Sequence, residues 1–257
     1  MRTIDIGIKN IDKIFHIADV HIRNVNRHKE YNYVFKQLYS YIRKNKTSNS
    51  IIYVAGDIVH AKTDMSPELV LQVSNFFKNL SDLAPTLVIT GNHDCNLNNS
   101  NRLDALSPIV KALNHKNLHY LKDNDIYKIS NVHFNVMSVF EKPVNFIKAS
   151  DFEGDIKIAL HHGAVNSAVT DIGFKISNEH VTTEIFKGHD LTLLGDIHKP
   201  GQYLDDNKTI AYAGSLIQQN HGEGLLHGIL EWDLETLNSK FIEIKNLYGY
   251  YTFEIED

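Results

Sequence analysis

Thr86-Leu87-Val88-Ile89-Thr90-Gly91-Asn92-His93-Asp94 is an apolar, β-branched run that ends in a glycine and three side chains able to bind metal or move protons. The first five positions read as a buried strand, since such residues fit a pleated surface. Outward from this stretch the arrangement recurs. Asp19-Val20-His21 follows the apolar residues 14–18, and Gly56-Asp57 follows 51–55. Leu160-His161-His162-Gly163 follows 156–159, and Gly195-Asp196-Ile197-His198 follows 191–194. Carboxylates and imidazoles at the ends of neighbouring strands converge in space, which is how an open α/β sheet builds a site.

Composition narrows the classes. The chain has 257 residues, 42% hydrophobic and 22% charged, which is ordinary for a globular protein. It contains no run of 18 apolar residues and no signal-peptide pattern, so a cytoplasmic protein without membrane association is expected. The single Cys95 excludes an intrachain disulfide and a thiolate metal cage, leaving oxygen and nitrogen ligands. A net charge of −5 is not the basic footprint of a protein held to nucleic acid by charge alone. Attraction to a phosphate must then be local, and bound divalent ions would cancel the site's carboxylates.

Helical periodicity predicts a helix over 31–42, from the stripe of Tyr31, Val34, Phe35, Leu38, Tyr41 and Ile42. A second starts at Ser66-Pro67-Glu68, with Ser66 as N-cap and Pro67 at the first helical position. A third, containing Pro108, is expected over 103–113. After residue 118 the texture is β-rich, with strands expected near 127–129, 132–139, 156–160, 191–194, 210–213, 225–232 and 241–244, and the last residues, 246–257, end in a strand-like stretch. No linker interrupts the chain, so one domain over 1–257 is expected, a layered α/β structure with two packed sheets.

The clusters support a specific chemistry. Asp19 and His21, two residues apart, point the same way if the strand continues, and Asp57 can bridge their cation to a second. Asn92 offers a carbonyl oxygen, His161 an imidazole, and Asp196 with His198 repeats the two-residue spacing. Seven mixed oxygen and nitrogen donors suit a pair of Mn²⁺, Fe or Zn ions better than Mg²⁺ alone. Two such ions can activate a shared water and clamp a phosphate ester. His93 is expected to face the phosphate as a catalytic group, oriented by Asp94. Arg23, Arg27 and Lys29 form either a solvated loop or a phosphate-facing rim. Ser215 either touches substrate or closes a strand as a turn residue. Cys95 is expected to be small, buried and inert.

The motifs resemble those of the calcineurin-like metallophosphoesterases, whose pattern is D-x-H, G-D, G-N-H-D/E, a later His and G-H-x-H. Within them the chain is most similar to DNA double-strand-break repair nucleases of the SbcD type. The similarity rests on Gly56-Asp57-Ile58-Val59-His60, Leu160 to Gly163, Gly195 to Lys199, and Ala213-Gly214-Ser215 followed by Gly222-Glu223. The resemblance implies an α/β/β/α sandwich, with Asp19, His21, Asp57 and His198 around one Mn²⁺ and Asp57, Asn92, His161 and Asp196 around the other. It also implies His93 as the catalytic histidine, His60 at a position linked to exonuclease action, DNA as substrate, a homodimer, an SbcC-type SMC-like ATPase partner and a nucleoid-associated location.

Two departures stand out. Asp196 occupies a place where the family usually has His, and the family's DNA-capping domain and ATPase-binding tail are expected to be absent. A Ser/Thr phosphatase is disfavoured, because His60-Ala61-Lys62 replaces its Asp-Arg-Gly. A small-molecule or cyclic-nucleotide phosphodiesterase and a non-catalytic DNA-end-binding subunit remain as alternatives.

Overall fold

A computed structural model of the chain describes residues 1–99 and 101–253. In chain order it begins with β1 (Arg2–Ile4), β2 (Lys13–Ile17), α1 (His28–Asn45), β3 (Ser50–Val54), α2 (Pro67–Leu83), β4 (Thr86–Val88), α3 (Ser107–Leu113) and β5 (Leu118–Tyr120). Then come β6 (Asp125–Ile129), β7 (Val132–Met137), β8 (Ile156–His162), β9 (Leu191–Gly195), β10 (Gln202–Tyr203), β11 (Ile210–Tyr212), β12 (Gly228–Asp233) and β13 (Asn238–Glu243).

The strands form two sheets, ordered β13-β12-β2-β3-β4-β5 and β1-β6-β7-β8-β9-β11-β10. In the first, β2 to β5 are parallel, joined through the helices as parallel neighbours require. In the second, β7, β8, β9 and β11 are parallel. The parallel strands of both sheets bring their carboxyl ends to one edge, and there the sheets touch through a bridge between Ala18 and Ser215.

Strand alternation sorts the core. Along β2, Ile14 and Ala18 face the second sheet while Phe15 and Ile17 face the helices, and β3 divides Ile51 and Tyr53 from Ile52 and Val54 in the same way. Val34, Phe35 and Leu38 of α1 meet Val73, Phe76 and Phe77 of α2 on the helical side. The outer face of the second sheet carries Met137, Ala159, Leu194 and Tyr212. It is covered by 3₁₀ turns at Pro143–Asn145, Ala149–Asp151 and Thr183–Phe186. The mixed α/β fold with two helix-flanked sheets is therefore as expected, with short 3₁₀ turns forming the fourth layer.

Local differences from expectation have local causes. Helix α1 extends three residues beyond the apolar stripe at each end, and its last turn carries Arg43 and Lys44, which favour the negative end of the helix dipole. Ser66 caps α2 as predicted, accepting from the Leu69 amide at 3.2 Å. Helix α3 starts four residues late because the Asp104 carboxylate accepts the amides of Leu106 and Ser107 and so fixes the first turn there. Pro108 sits in that first turn, where no helical amide is needed. Strands β1, β5 and β10 are too short for a periodic signal. Residues 246–253 form no strand, and 254–257 lie outside the described residues. No described helix is long and apolar enough to cross a membrane.

One polar residue interrupts the apolar layer between the sheets. His16 is fully buried between Ile14 and Ala18, against Tyr53 and Trp232, and burial lowers its pKa to about 3. The unfolded chain protonates this imidazole below about 6.5 while the folded one keeps it neutral, so stability falls as pH drops from about 6.5 toward 3. The slope from this residue is about 1.4 kcal/mol per pH unit. Urea unfolding of wild type and His16→Phe at pH 7 and pH 5 should show a smaller acid loss in the variant; equal losses would remove the assignment.

Candidate metal centre

Where β2 and β3 end, their chains continue side by side. The amides of Asp19, His21 and Ile22 donate to the carbonyls of Gly56, Asp57 and Ile58 at 3.3, 2.9 and 2.8 Å. This ladder holds Asp19 (φ 49°), His21 (φ 47°) and Asp57 (φ 52°) in the left-handed region, and Asp196 joins them at φ 102°. Non-glycine residues take up such backbone at a cost, and it concentrates at functional sites. Gly56 (φ 85°) needs its missing Cβ as well, because a methyl there would lie 2.6 Å from the Gly91 amide and 2.7 Å from His162 Nδ1.

Among the described residues three groups of donors lie close enough to hold a metal, and two of them contain carboxylates and meet at this seam. Asp19, His21 and His198 form one, with His21 Nε2 only 3.1 Å from His198 Nε2. Asp19, Asp57 and His162 form the other. Asp57 faces both, its Oδ2 lying 3.5 Å from His21 Nε2 and its Oδ1 3.4 Å from His162 Nε2. Asp196 is tied in by its amide, which donates to both Asp19 oxygens at 3.0 and 3.1 Å, and its Oδ1 lies 3.8 Å from His162 Nε2.

The donor set fits cations. His162 Nδ1 donates to the Ala55 carbonyl at 2.6 Å and His198 Nδ1 donates to Glu223 Oε1 at 2.7 Å, so in each neutral ring Nε2 carries the lone pair that faces the seam. The Asn92 amide is 2.9 Å from His162 Nε2 and 3.3 Å from both Asp57 oxygens. With its oxygen inward, Asn92 adds one more acceptor around that point, an arrangement that a cation satisfies. Asp19, His21, Asp57, Asn92, His162, Asp196 and His198 are the residues that would hold two ions.

The charges agree. Burial raises the Asp19 pKa to about 7 and raises that of Asp196. Burial alone would also raise Asp57, but His162 and His21 outweigh it and hold Asp57 below the usual carboxylate range. Burial opposes protonation of His162 and His198, yet Asp57 raises His162 well above its ordinary value, and Glu223 with Asp19 raises His198 to about 9. Without cations the carboxylates are balanced by protons on these two rings, and divalent ions would displace those protons.

Several expected assignments change. His161 is not in the cluster: Ile158, Leu160 and His162 share the inner face of β8, whereas His161 faces outward with Ala159, against Phe146 and Phe186, its Nδ1 donating to the Met137 carbonyl. Lys157 on the outer face was the signal, since it assigns odd positions of this strand away from the sheet interface. Asp94 does not touch the His93 ring. Its carboxylate accepts the amides of Ile58, Val59 and Gly91, stapling the two motif loops together. His93 is oriented instead by the His60 carbonyl, to which its Nδ1 donates at 2.7 Å, and its amide donates to Asp57 Oδ1.

Among the substrate candidates, His60 stands with His93 and His21 in a three-histidine group, stacked on His93 at 5.8 Å. Arg23 donates to the Gln219 carbonyl and keeps Nε without a partner. Arg27 is committed elsewhere, bidentate to Glu30, bonded to the Gln218 carbonyl and stacked on Tyr250. Lys29 is on the exposed first turn of α1. Ser215 is fully buried, its hydroxyl paired with His227 and its amide donating to the His198 carbonyl, so it supports a ligand and does not face a substrate. Glu223, which the motif reading left without a role, proves to be the group that orients His198. Cys95 is buried beside the Gly91 carbonyl, and burial followed by the Asp94 charge pushes its thiol up to about 12, in line with an inert role.

Residues 12–200 match the calcineurin-like phosphoesterases, and the chain belongs to that family. The family uses a dinuclear metal site, and the clusters above lie within or beside the matched span. The chain is 48% identical over 261 residues to uncharacterized protein R555 of Acanthamoeba polyphaga mimivirus, an alignment covering 96% of this chain and 19% of that protein. The chain thus spans about a fifth of the length of that relative. Among solved structures it is similar to the nuclease MPE of Pseudomonas putida, at 12% identity and a TM-score of 0.42, covering 88% of this chain and 87% of that one.

Metal content after gel filtration should separate the two adjacent histidines. His162→Gln is expected to lose bound divalent metal, while His161→Gln keeps the wild-type ratio. Glu223→Gln should weaken binding by about 10- to 100-fold, as loss of a residue that orients a ligand does. Equal metal loss in the His161 and His162 variants would reverse the assignment.

Proposed function

We propose that the chain is a metal-dependent phosphodiesterase that cleaves DNA, working with two Mn²⁺ ions in end processing during repair or recombination. The observation that carries this reading is the seam of three carboxylates, three imidazoles and Asn92, with His93 standing beside it. When bound, two such ions supply a nucleophilic hydroxide and neutralise the phosphate oxygens. Donors of both oxygen and nitrogen type favour Mn²⁺, Fe or Zn in that place.

The chain's own residues account for the rest. His93 Nδ1 donates to the His60 carbonyl, and that bond persists when the ring is an imidazolium. The other ring nitrogen is then free to hold a proton for the departing oxygen. Two cations stand near the seam, Arg23, bonded to the Gln219 carbonyl with its Nε unpartnered, and Lys62, bonded to the Asn92 carbonyl. The motif resemblance, including His60 in Gly56-Asp57-Ile58-Val59-His60, supports DNA as the substrate. An SMC-like ATPase and a second copy of the chain, as partners in the same proposal, rest on that resemblance alone.

End-labelled linear DNA and bis-p-nitrophenyl phosphate, each with MnCl₂ and with EDTA, provide the test. Both should be cleaved only with metal, and His93→Ala should lower the rate by about 10²–10⁴-fold at unchanged metal content. Faster turnover of p-nitrophenyl phosphate than of either diester, or an unimpaired His93→Ala, would overturn the reading.

A further inference from the structure

Two cavities border the metal seam, and Asp196 lines both. One, of about 360 Å³, reaches from Asp196 and His198 to Ile172, Phe174, Asp171 and Asn220. The other, of about 290 Å³, lies beyond Asn92 and His162, against Leu97, Phe146 and Val181. A phosphodiester centred on the seam sends one substituent to each side, whereas a monoester would use only one.

The first cavity is built by a small hairpin between β8 and β9. Val169 pairs with Lys175, the Thr170 amide donates to the Phe174 carbonyl, and Gly173 (φ 83°) turns the chain between them. The Gln202 side chain fastens its base by bonding both the amide and the carbonyl of Val169. Its tip holds two large apolar side chains in the open, Ile172 at 75% and Phe174 at 62% exposure. Ile172 reaches the loop of Gly222, and that loop carries Glu223, which orients His198. An aromatic and a branched aliphatic side chain, both mostly exposed, thus stand on a pinned hairpin beside the candidate metal centre and form an apolar wall of the cavity. Asp171, next to Ile172 on the same hairpin, also lines the cavity, and its Oδ2 has no hydrogen-bond partner among the described residues.

We propose that this cavity is a nucleobase subsite: the sugar and base on one side of the scissile phosphate enter it, the base lying against Phe174 and Ile172 with its polar edge toward Asp171. This rests on the phosphodiesterase reading and adds the substrate's class at that position. Apolar walls with few convergent polar groups are what a planar heterocycle requires, and stacking on an aromatic ring tolerates any base. Asp196 separates the two cavities, so neighbouring bases that occupy them cannot remain stacked on each other. Single-stranded or frayed DNA reaches that state most readily, since unstacking is cheapest where pairing is already lost.

The double variant Ile172→Ala/Phe174→Ala tests the subsite, because both side chains are exposed and the core is untouched. Its kcat/KM for thymidine 5′-(p-nitrophenyl) phosphate should fall about tenfold, with methyl p-nitrophenyl phosphate unchanged within about twofold. Binding of a trinucleotide carrying central 2-aminopurine, followed by fluorescence, should weaken to a similar degree. Equal losses on both esters, no loss on the nucleoside ester, or unaltered trinucleotide binding would each overturn the subsite. Should wild type hydrolyse neither ester, the phosphodiesterase reading fails, and trinucleotide binding still decides whether a base occupies this cavity.

Discussion

Two buried carboxylates, Asp19 and Asp57, and a half-buried third, Asp196, meet where the sheets touch, and the structure around them answers to that charge. Asp19, Asp57 and Asp196 lie among histidines, with no Lys or Arg among the seven converging groups. Buried charges of one sign are tolerated only when paired or bound to metal. The surrounding backbone is arranged to hold them regardless: left-handed conformation at all three, a ladder of amides between the two motif loops, and Gly56 where a methyl would collide. The two sheets contribute unequal shares. The first supplies Asp19, His21, Asp57 and Asn92, and the second supplies His162, Asp196 and His198. The bond from His162 Nδ1 to the Ala55 carbonyl couples them, since it fixes the distance between the sheets and the lone pair's direction at once.

Much of this was legible because strand ends announce themselves in sequence. An apolar run followed by Gly-Asp or Gly-Asn-His-Asp needs no tertiary information to be placed at the edge of a sheet, and both helix stripes and the Ser66 cap were equally local. What misled was anything that depended on which way a side chain turns. In Leu160-His161-His162-Gly163 the two imidazoles differ only by strand parity, and parity was set by Lys157, three residues upstream of the apolar end. Asp94 adjoins His93 in sequence, yet the tight turn after Gly91 points its carboxylate back to the loop after β3. Arg27 looks like a phosphate contact because its ion pair with Glu30 and its stack on Tyr250 are made by folding, the latter across more than two hundred residues.

The loop over 218–223 shows how pieces without ligands support the centre. Glu223 accepts from His198, from the Gln219 amide and from Asn220. The Gln218 and Gln219 carbonyls accept from Arg27 and Arg23. The Gln218 side chain accepts the Tyr250 amide and donates to the Glu223 carbonyl. One buried acid therefore connects the last ligand of the centre to the segment after His21 and to the final described residues. Removing its charge loosens His198 and releases the loop that closes one side of the hairpin cavity, so ligand geometry and access are set by the same bonds.

Asp196 gives the two metal positions of the proposed centre different characters. With Asp57 shared, the position near β2 draws on Asp19, His21 and His198, two of them imidazoles. The position near β8 draws on His162 and Asp19, with Asn92 and Asp196 beside them, so oxygen donors outnumber the imidazole there. Harder oxygen donors shift preference toward Mn²⁺ and Mg²⁺, and imidazoles toward Fe and Zn. The carboxylate of Asp196 also leaves the centre one positive charge poorer than a neutral imidazole in its place would. A centre with less positive charge holds a phosphate less tightly by electrostatics alone. Contacts beyond the phosphate, such as those an apolar wall at Phe174 can make, then carry a larger part of the work of choosing a substrate.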